Sequence, residues 1–161
     1  MKQKFLIIAL ALALLFPSSL WALTPGSCVQ TVVDYAAAGA VKVSLVCTGS
    51  PDDGALPTQT IDSATVTLLT GHYYLYQVKA YPTSGGTAPD AADVAVLMDG
   101  MDLLGAKGVN LIHATATYDT FPYSAFMSSY RFPAITGTVT LTVANQATHS
   151  ANYTIELVFV K

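Results

Sequence analysis

Charge is scarce in this chain: only 11% of its 161 residues are Asp, Glu, Lys or Arg, against the quarter or so that is usual. No cluster of Lys and Arg appears anywhere. That excludes the electrostatic footprint of a nucleic-acid binder and a polybasic patch for a membrane surface. Glutamate is reduced to Glu156 alone, on the expected exposed face of a strand. A glycosidase needs a carboxylate pair with a general acid in an apolar pocket. His72, His113 and His149 lie far apart, without HxH or HExxH spacing, so no metal-binding pair is visible. The GxSxG elbow of a nucleophilic serine is missing. Ser84, Gly85 and Gly86 lead to Pro89 and a strand pattern, not to the helix that a phosphate cradle needs. Asp90, Asp93, Asp99 and Asp102 fall near turns. They lack the EF-hand pattern of a calcium loop, and aspartates bonded to their own turn backbone are the simpler reading. The expectation is a protein without enzymatic activity, metal or cofactor.

Cysteine is limited to Cys28 and Cys47. They lack CxxC spacing and nearby histidines, which makes them poor metal ligands. Thr24 to Ser27 do not form the pattern that precedes a lipid-anchored cysteine. One structural disulfide, Cys28–Cys47, is the expectation for an even count in an oxidising compartment.

That compartment is inferred from the first 22 residues. Lys2 and Lys4 precede an apolar run from Phe5 to Phe16, and Pro17 to Ala22 ends on a small residue. This is the layout of a secretory signal peptide, and the run is short for a permanent membrane span. The expectation is a 1–22 signal peptide and one exported domain over 23–161, with no membrane partner after cleavage. Those 139 residues carry five basic and ten acidic side chains, a formal charge of −5. They are enough for one domain with its own core.

What the exported part has in quantity is period-two alternation. Val41, Val43, Leu45 and Cys47 alternate with Lys42, Ser44 and Val46, and Val29 to Tyr35 reads as their partner strand. Ile61 to Thr70 is rich in strand-favouring Thr, Val and Leu. In Tyr73 to Tyr81, simple alternation puts Tyr74, Tyr76, Val78 and Ala80 on one face. Val94 to Met98 runs into Asp99-Gly100, a tight hairpin signal. Residues 109 to 132 are the least regular and have room for a short helical turn. Val139, Leu141 and Val143, then Tyr153, Ile155, Leu157 and Phe159, read as the two arms of a hairpin. Seven to eight short strands joined by Gly/Pro turns predict an all-β fold, an antiparallel β-sandwich of jelly-roll or immunoglobulin-like type.

The candidate interaction site is an aromatic segment. Phe121, Tyr123, Phe126, Tyr130 and Phe132 lie within twelve residues, with Met127 and Arg131 among them. Aromatics, Met and Arg are enriched in interface cores. Two readings stand: a cap folded over an open end of the sandwich, or a contact surface.

Several motifs together carry a resemblance. They are Tyr74-Leu75-Tyr76-Gln77-Val78-Lys79, the Gly85 to Pro89 loop, Asp93 to Val96, Asp99 to Gly105, Ile135 to Val143 and the final strand ending Val160-Lys161. Over residues 61–161 the chain resembles small signal-peptide-bearing β-sandwich proteins encoded among the structural genes of tailed bacteriophages and prophages. The resemblance implies a non-enzymatic structural or assembly protein associated with virions. Its implied partners are copies of itself or other virion or surface proteins. The alternatives are an exported binding module and a self-assembling surface-filament subunit. In the last, an edge strand receives an apolar N-terminal arm.

Overall fold

A computed structural model describes residues 23–124 and 127–161. The expected signal peptide and Phe126 lie outside the described residues. The long strands are β1 (Ser27–Tyr35), β2 (Ala40–Thr48), β4 (Tyr74–Pro82), β5 (Asp93–Met98), β10 (Val139–Ala144) and β11 (Asn152–Val160). Shorter pieces complete the set: β3 (Gln59–Thr60), β6 (Met101–Asp102), β7 (Tyr118–Thr120), β8 (Tyr123–Ser124) and β9 (Ser129–Tyr130). One α-helix, α1, spans Ser63–Leu69.

Two antiparallel sheets carry the fold. The first has the order β1-β2-β11-β4-β7 and the second β3-β10-β5-β6; β8 and β9 form a separate small hairpin. The alternation predicted for β2 holds: Val41, Val43, Leu45 and Cys47 are buried, as are Tyr153, Ile155, Leu157 and Phe159 on β11. Val94, Val96 and Met98 of β5 and Val139 and Leu141 of β10 belong to the same buried cluster. The chain is therefore all-β, with a shared core between its sheets and Cys28 bonded to Cys47. These cysteines stand directly opposite each other in the β1–β2 register. The expected hairpin turn at Asp99-Gly100 is present, with φ of 50° and 85°.

Five expectations are corrected. Eleven strands are found among the described residues rather than seven or eight, because pieces of two or three residues carry no readable period. Residues 63–69 are helical, not extended. Asp62 caps this helix, accepting from the Thr65 backbone N–H at 2.8 Å and from the Thr65 hydroxyl at 2.6 Å. Ile61, Thr65 and Leu69 are buried at four-residue spacing, so a cap and a helical stripe outweigh the weak strand preference of Thr and Val.

The third correction concerns β4. Leu75 pairs with Phe159, but Gln77 pairs with Val158. Tyr76 is thus an extra residue, a β-bulge, and it shifts the phase of the strand. Leu75, Val78 and Ala80 are buried while Tyr74 and Tyr76 face out, so the four residues assigned to one face are split. The fourth concerns β10 and β11. They lie in different sheets and do not form a hairpin. Residues 145–151 carry the chain from one sheet to the other, a separation of about 10 Å. Alternation shows that a strand has one buried face; it does not show whether the neighbour lies beside it or across the core. Among the described part of 109–132 no helical turn occurs; β7, β8 and β9 stand there instead.

Candidate functional site

The bulge at Tyr76 turns its ring toward the segment that follows β7. The Tyr76 ring lies 5.6 Å from Phe121, edge to face, and 5.2 Å from Phe132. Phe121 meets Tyr130 at 6.4 Å, and Tyr130 meets Tyr123 at 5.4 Å. The tilted and edge-to-face geometries are those aromatic quadrupoles favour. Four of the five predicted rings are thus brought into one strip, joined by a ring from β4. Met127 lies exposed beside the hairpin of β8 and β9, and Arg131 is exposed between Tyr130 and Phe132.

Backbone bonds fix the strip to the sandwich. Tyr123 N–H donates to the Leu103 carbonyl at 3.1 Å, and Arg131 N–H to Pro122 at 3.0 Å. Farther along, Leu75 N–H donates to Pro133 and Ile135 N–H to Tyr73. The path is held at both ends, yet its rings do not enter the core. Tyr130 keeps 61% of its surface exposed and Phe132 48%. Phe121 and Tyr123 are half-buried.

Cations gather at the same place. Among the described residues Lys42 is paired with Glu156 at 2.9 Å, and Lys79 stands over the Tyr81 ring at 5.4 Å. The other three border the strip. Lys107 stands 4.6 Å over the Tyr123 ring and Lys161 5.1 Å over Tyr73, within cation–π range. Arg131 lines two open grooves. One, of about 410 Å³, runs between Leu103 and Tyr123; the other, of about 450 Å³, is walled by Tyr74, Phe132 and Lys161.

The carboxylates weighed as calcium ligands are spent on backbone. Asp102 accepts from Leu104 and Ala106 N–H, Asp93 from Asn110, Asp99 from Thr138 and Asp90 from Ala147. Among the described residues no three His, Cys, Asp or Glu are grouped to hold a metal. His113 accepts from Thr115 and Ala116 N–H and packs edge-on against Tyr118.

Glu156 sits in a cross-strand ladder on the first sheet, bonded to Lys42 and to the Tyr81 hydroxyl. Burial raises its pKa, but the Lys42 ammonium outweighs that and holds the carboxyl below its ordinary 4.5. The same bond holds Lys42 above its ordinary value. Because the folded carboxyl has the depressed value, the stability it contributes is complete above its unfolded pKa. It is lost as pH falls through the folded one. A Glu156→Gln variant is therefore less stable than the parent at neutral pH, and the gap closes on acidification below about 4.5. Thermal melts of both proteins across that range check this; a gap that widens in acid contradicts it.

Sequence reasoning missed Tyr74, Tyr76, Lys107 and Lys161. The tyrosines of 73–76 were legible as an aromatic strand, but their direction depends on the bulge. Lys107 and Lys161 are distant in sequence and reach the strip only through the fold. No family model, no curated protein and no solved structure matches this chain.

Proposed function

We propose that the chain is a non-enzymatic structural or assembly subunit, exported and associated with phage particles. In this reading it docks through the aromatic strip onto an acidic surface of another protein subunit. The observation that carries the reading is the strip itself. Mutually packed rings stay open to solvent, and three cations without carboxylate partners among the described residues border them. Aromatic and Arg anchors dominate interface energetics. Complementary charge raises the association rate and selects the partner. The disulfide fits an oxidising compartment. No helix among the described residues is long and apolar enough to cross a membrane.

The test is a Tyr130→Ala, Phe132→Ala double variant. Both rings are about half exposed but pack on neighbouring rings, so stability should fall by about 1 kcal/mol per site, with the fold kept. Co-sedimentation with purified particles should weaken at least about tenfold, roughly 1.4 kcal/mol, and more so at raised salt. Mass spectrometry of those particles should find the protein beginning at Leu23. Unchanged co-sedimentation of the variant, or absence of the chain from particles, overturns the reading.

A second reading, an exported binding module, is favoured by the groove between Leu103 and Tyr123. It is mostly apolar and its volume is in the range of small-ligand sites.

A further inference from the structure

Each of the two large sheets has two edges, and three of the four are short. β7 has three residues, β3 two and β6 two. The fourth, β1, has nine and, among the described residues, pairs along its whole length on one side only, with β2. Exposed edges are templates for further pairing, and proteins blunt them with short strands, lysines, prolines or bulges. β1 has none of these. Its sequence SCVQTVVDY has no Pro, Gly or Lys, and its one charge, Asp34, has the inner-face parity of Val41 opposite it but lies exposed, next to the strand's last residue. Its pairing with β2 is regular from end to end.

Its side chains are also under-covered. Val29, Val33 and Tyr35 of the outer face are 66%, 41% and 48% exposed. Val32 shares the inner-face parity of the buried Val43 opposite it, yet 38% of its surface is exposed.

We propose that β1 pairs antiparallel with β1 of a second copy, joining two five-stranded sheets into one of ten strands. The register follows from geometry. Directly opposed residues in an antiparallel pair must point to the same face, so the two-fold axis passes through a residue. Placing it at Thr31 is the choice that pairs all nine positions. Val29 then faces Val33 of the partner subunit twice over, and Tyr35 faces the partner subunit's Ser27. Charge fits the same register. Asp34 falls opposite the partner subunit's Cys28, and the two Asp34 carboxylates stand about 20 Å apart at the rise of a strand. That is more than two screening lengths at physiological salt. The closed two-fold arrangement leaves no free β1 edge. The pairing names a partner and a surface for the assembly reading and rests on it, but it does not use the aromatic strip.

The purified disulfide-bonded protein should show a concentration-dependent monomer–dimer equilibrium in sedimentation velocity. A Val29→Lys, Val33→Lys variant sets lysines against each other across the axis and should weaken the dimer at least about tenfold, with its melting temperature little changed. A Thr31→Cys variant should link covalently to its twin on mild oxidation. Val29→Cys should not, because its opposite number is Val33. Peptide mapping must find Cys28–Cys47 intact in both. A monomer at all concentrations overturns the proposal, while particle co-sedimentation would still report on the strip. A dimer that survives the lysine pair, or that fails to link at Thr31, shows a different surface or strand and also overturns it.

Discussion

Replacing Cys28 and Cys47 together by alanine should lower stability by about 3 kcal/mol in the chain-entropy account of a cross-link, given their separation of 19 positions. For a domain of this size that corresponds to a fall in melting temperature of ~10 °C. The structure adds a location to the loss. Among the described residues β1 is hydrogen-bonded through one side, to β2, and most of its residues are exposed. Besides the ladder, it is tied by Gln30, whose side chain bonds Asp62 and Thr65 at the start of α1. Without the cross-link β1 should fray first. Amide exchange should accelerate over 27–35 well before it does in β11, which is paired on both sides. A double variant with an unchanged urea midpoint would show that the pairing itself holds β1.

A Gly105→Val substitution should dismantle the aromatic strip. Gly105 has φ of +53°, a region where a β-branched residue is an outlier. Such strain costs about 1–3 kcal/mol. A Cβ there would also stand 2.4 Å from the Tyr123 carbonyl oxygen and 3.1 Å from its ring. Overlap of this kind adds about 1–3 kcal/mol. The loop has little room to yield, because both carboxylate oxygens of Asp102 hold its backbone at Leu104 and Ala106. The hairpin of β8 and β9 must therefore move away, breaking the Tyr123 N–H bond to Leu103. The expected result is loss of the near-ultraviolet circular dichroism of the packed tyrosines and of the proposed particle association, with the far-ultraviolet β signal kept. Gly71→Val is the control. It has positive φ too, at 74°, but a Cβ there meets nothing within 4 Å. If both variants keep the strip's signal, the close approach at Gly105 does not position the hairpin.

Much of the fold was legible where side chains alternate without interruption. β1, β2, β5, β10 and β11 were read nearly to their ends, and the Cys28–Cys47 register followed from β1 and β2 alone. What failed was information that alternation does not contain. The cap at Asp62 made a helix of Thr- and Val-rich residues. One inserted residue, Tyr76, reversed the phase of β4 halfway along. The strands on either side of 145–151 looked like hairpin arms because each buries one face, and the sandwich uses those faces against each other.

The site was legible as composition but not as geometry. The run 121–132 was marked by its aromatics, and the strip does form there. Its neighbours Tyr74 and Tyr76 needed the bulge, and Lys107 and Lys161 needed the tertiary path. The cap reading and the contact reading differ in where Tyr130 and Phe132 point. Their exposure leaves them outside the core, which is why the strip and not the sandwich end carries the functional proposal.

The position of β11 has a consequence for how the polypeptide matures. The strand at the centre of the first sheet follows every other described strand in the chain, and it must join β2, far upstream. The Lys42–Glu156 bond spans 114 positions. Contacts between such distant residues form slowly, since a large loop must close before any pairing repays it. Before Asn152–Val160 is made, β2 has no partner beyond β1 and β4 none beyond β7 among the described residues. The first sheet therefore stays open, and the upstream chain threadable, until β11 is made.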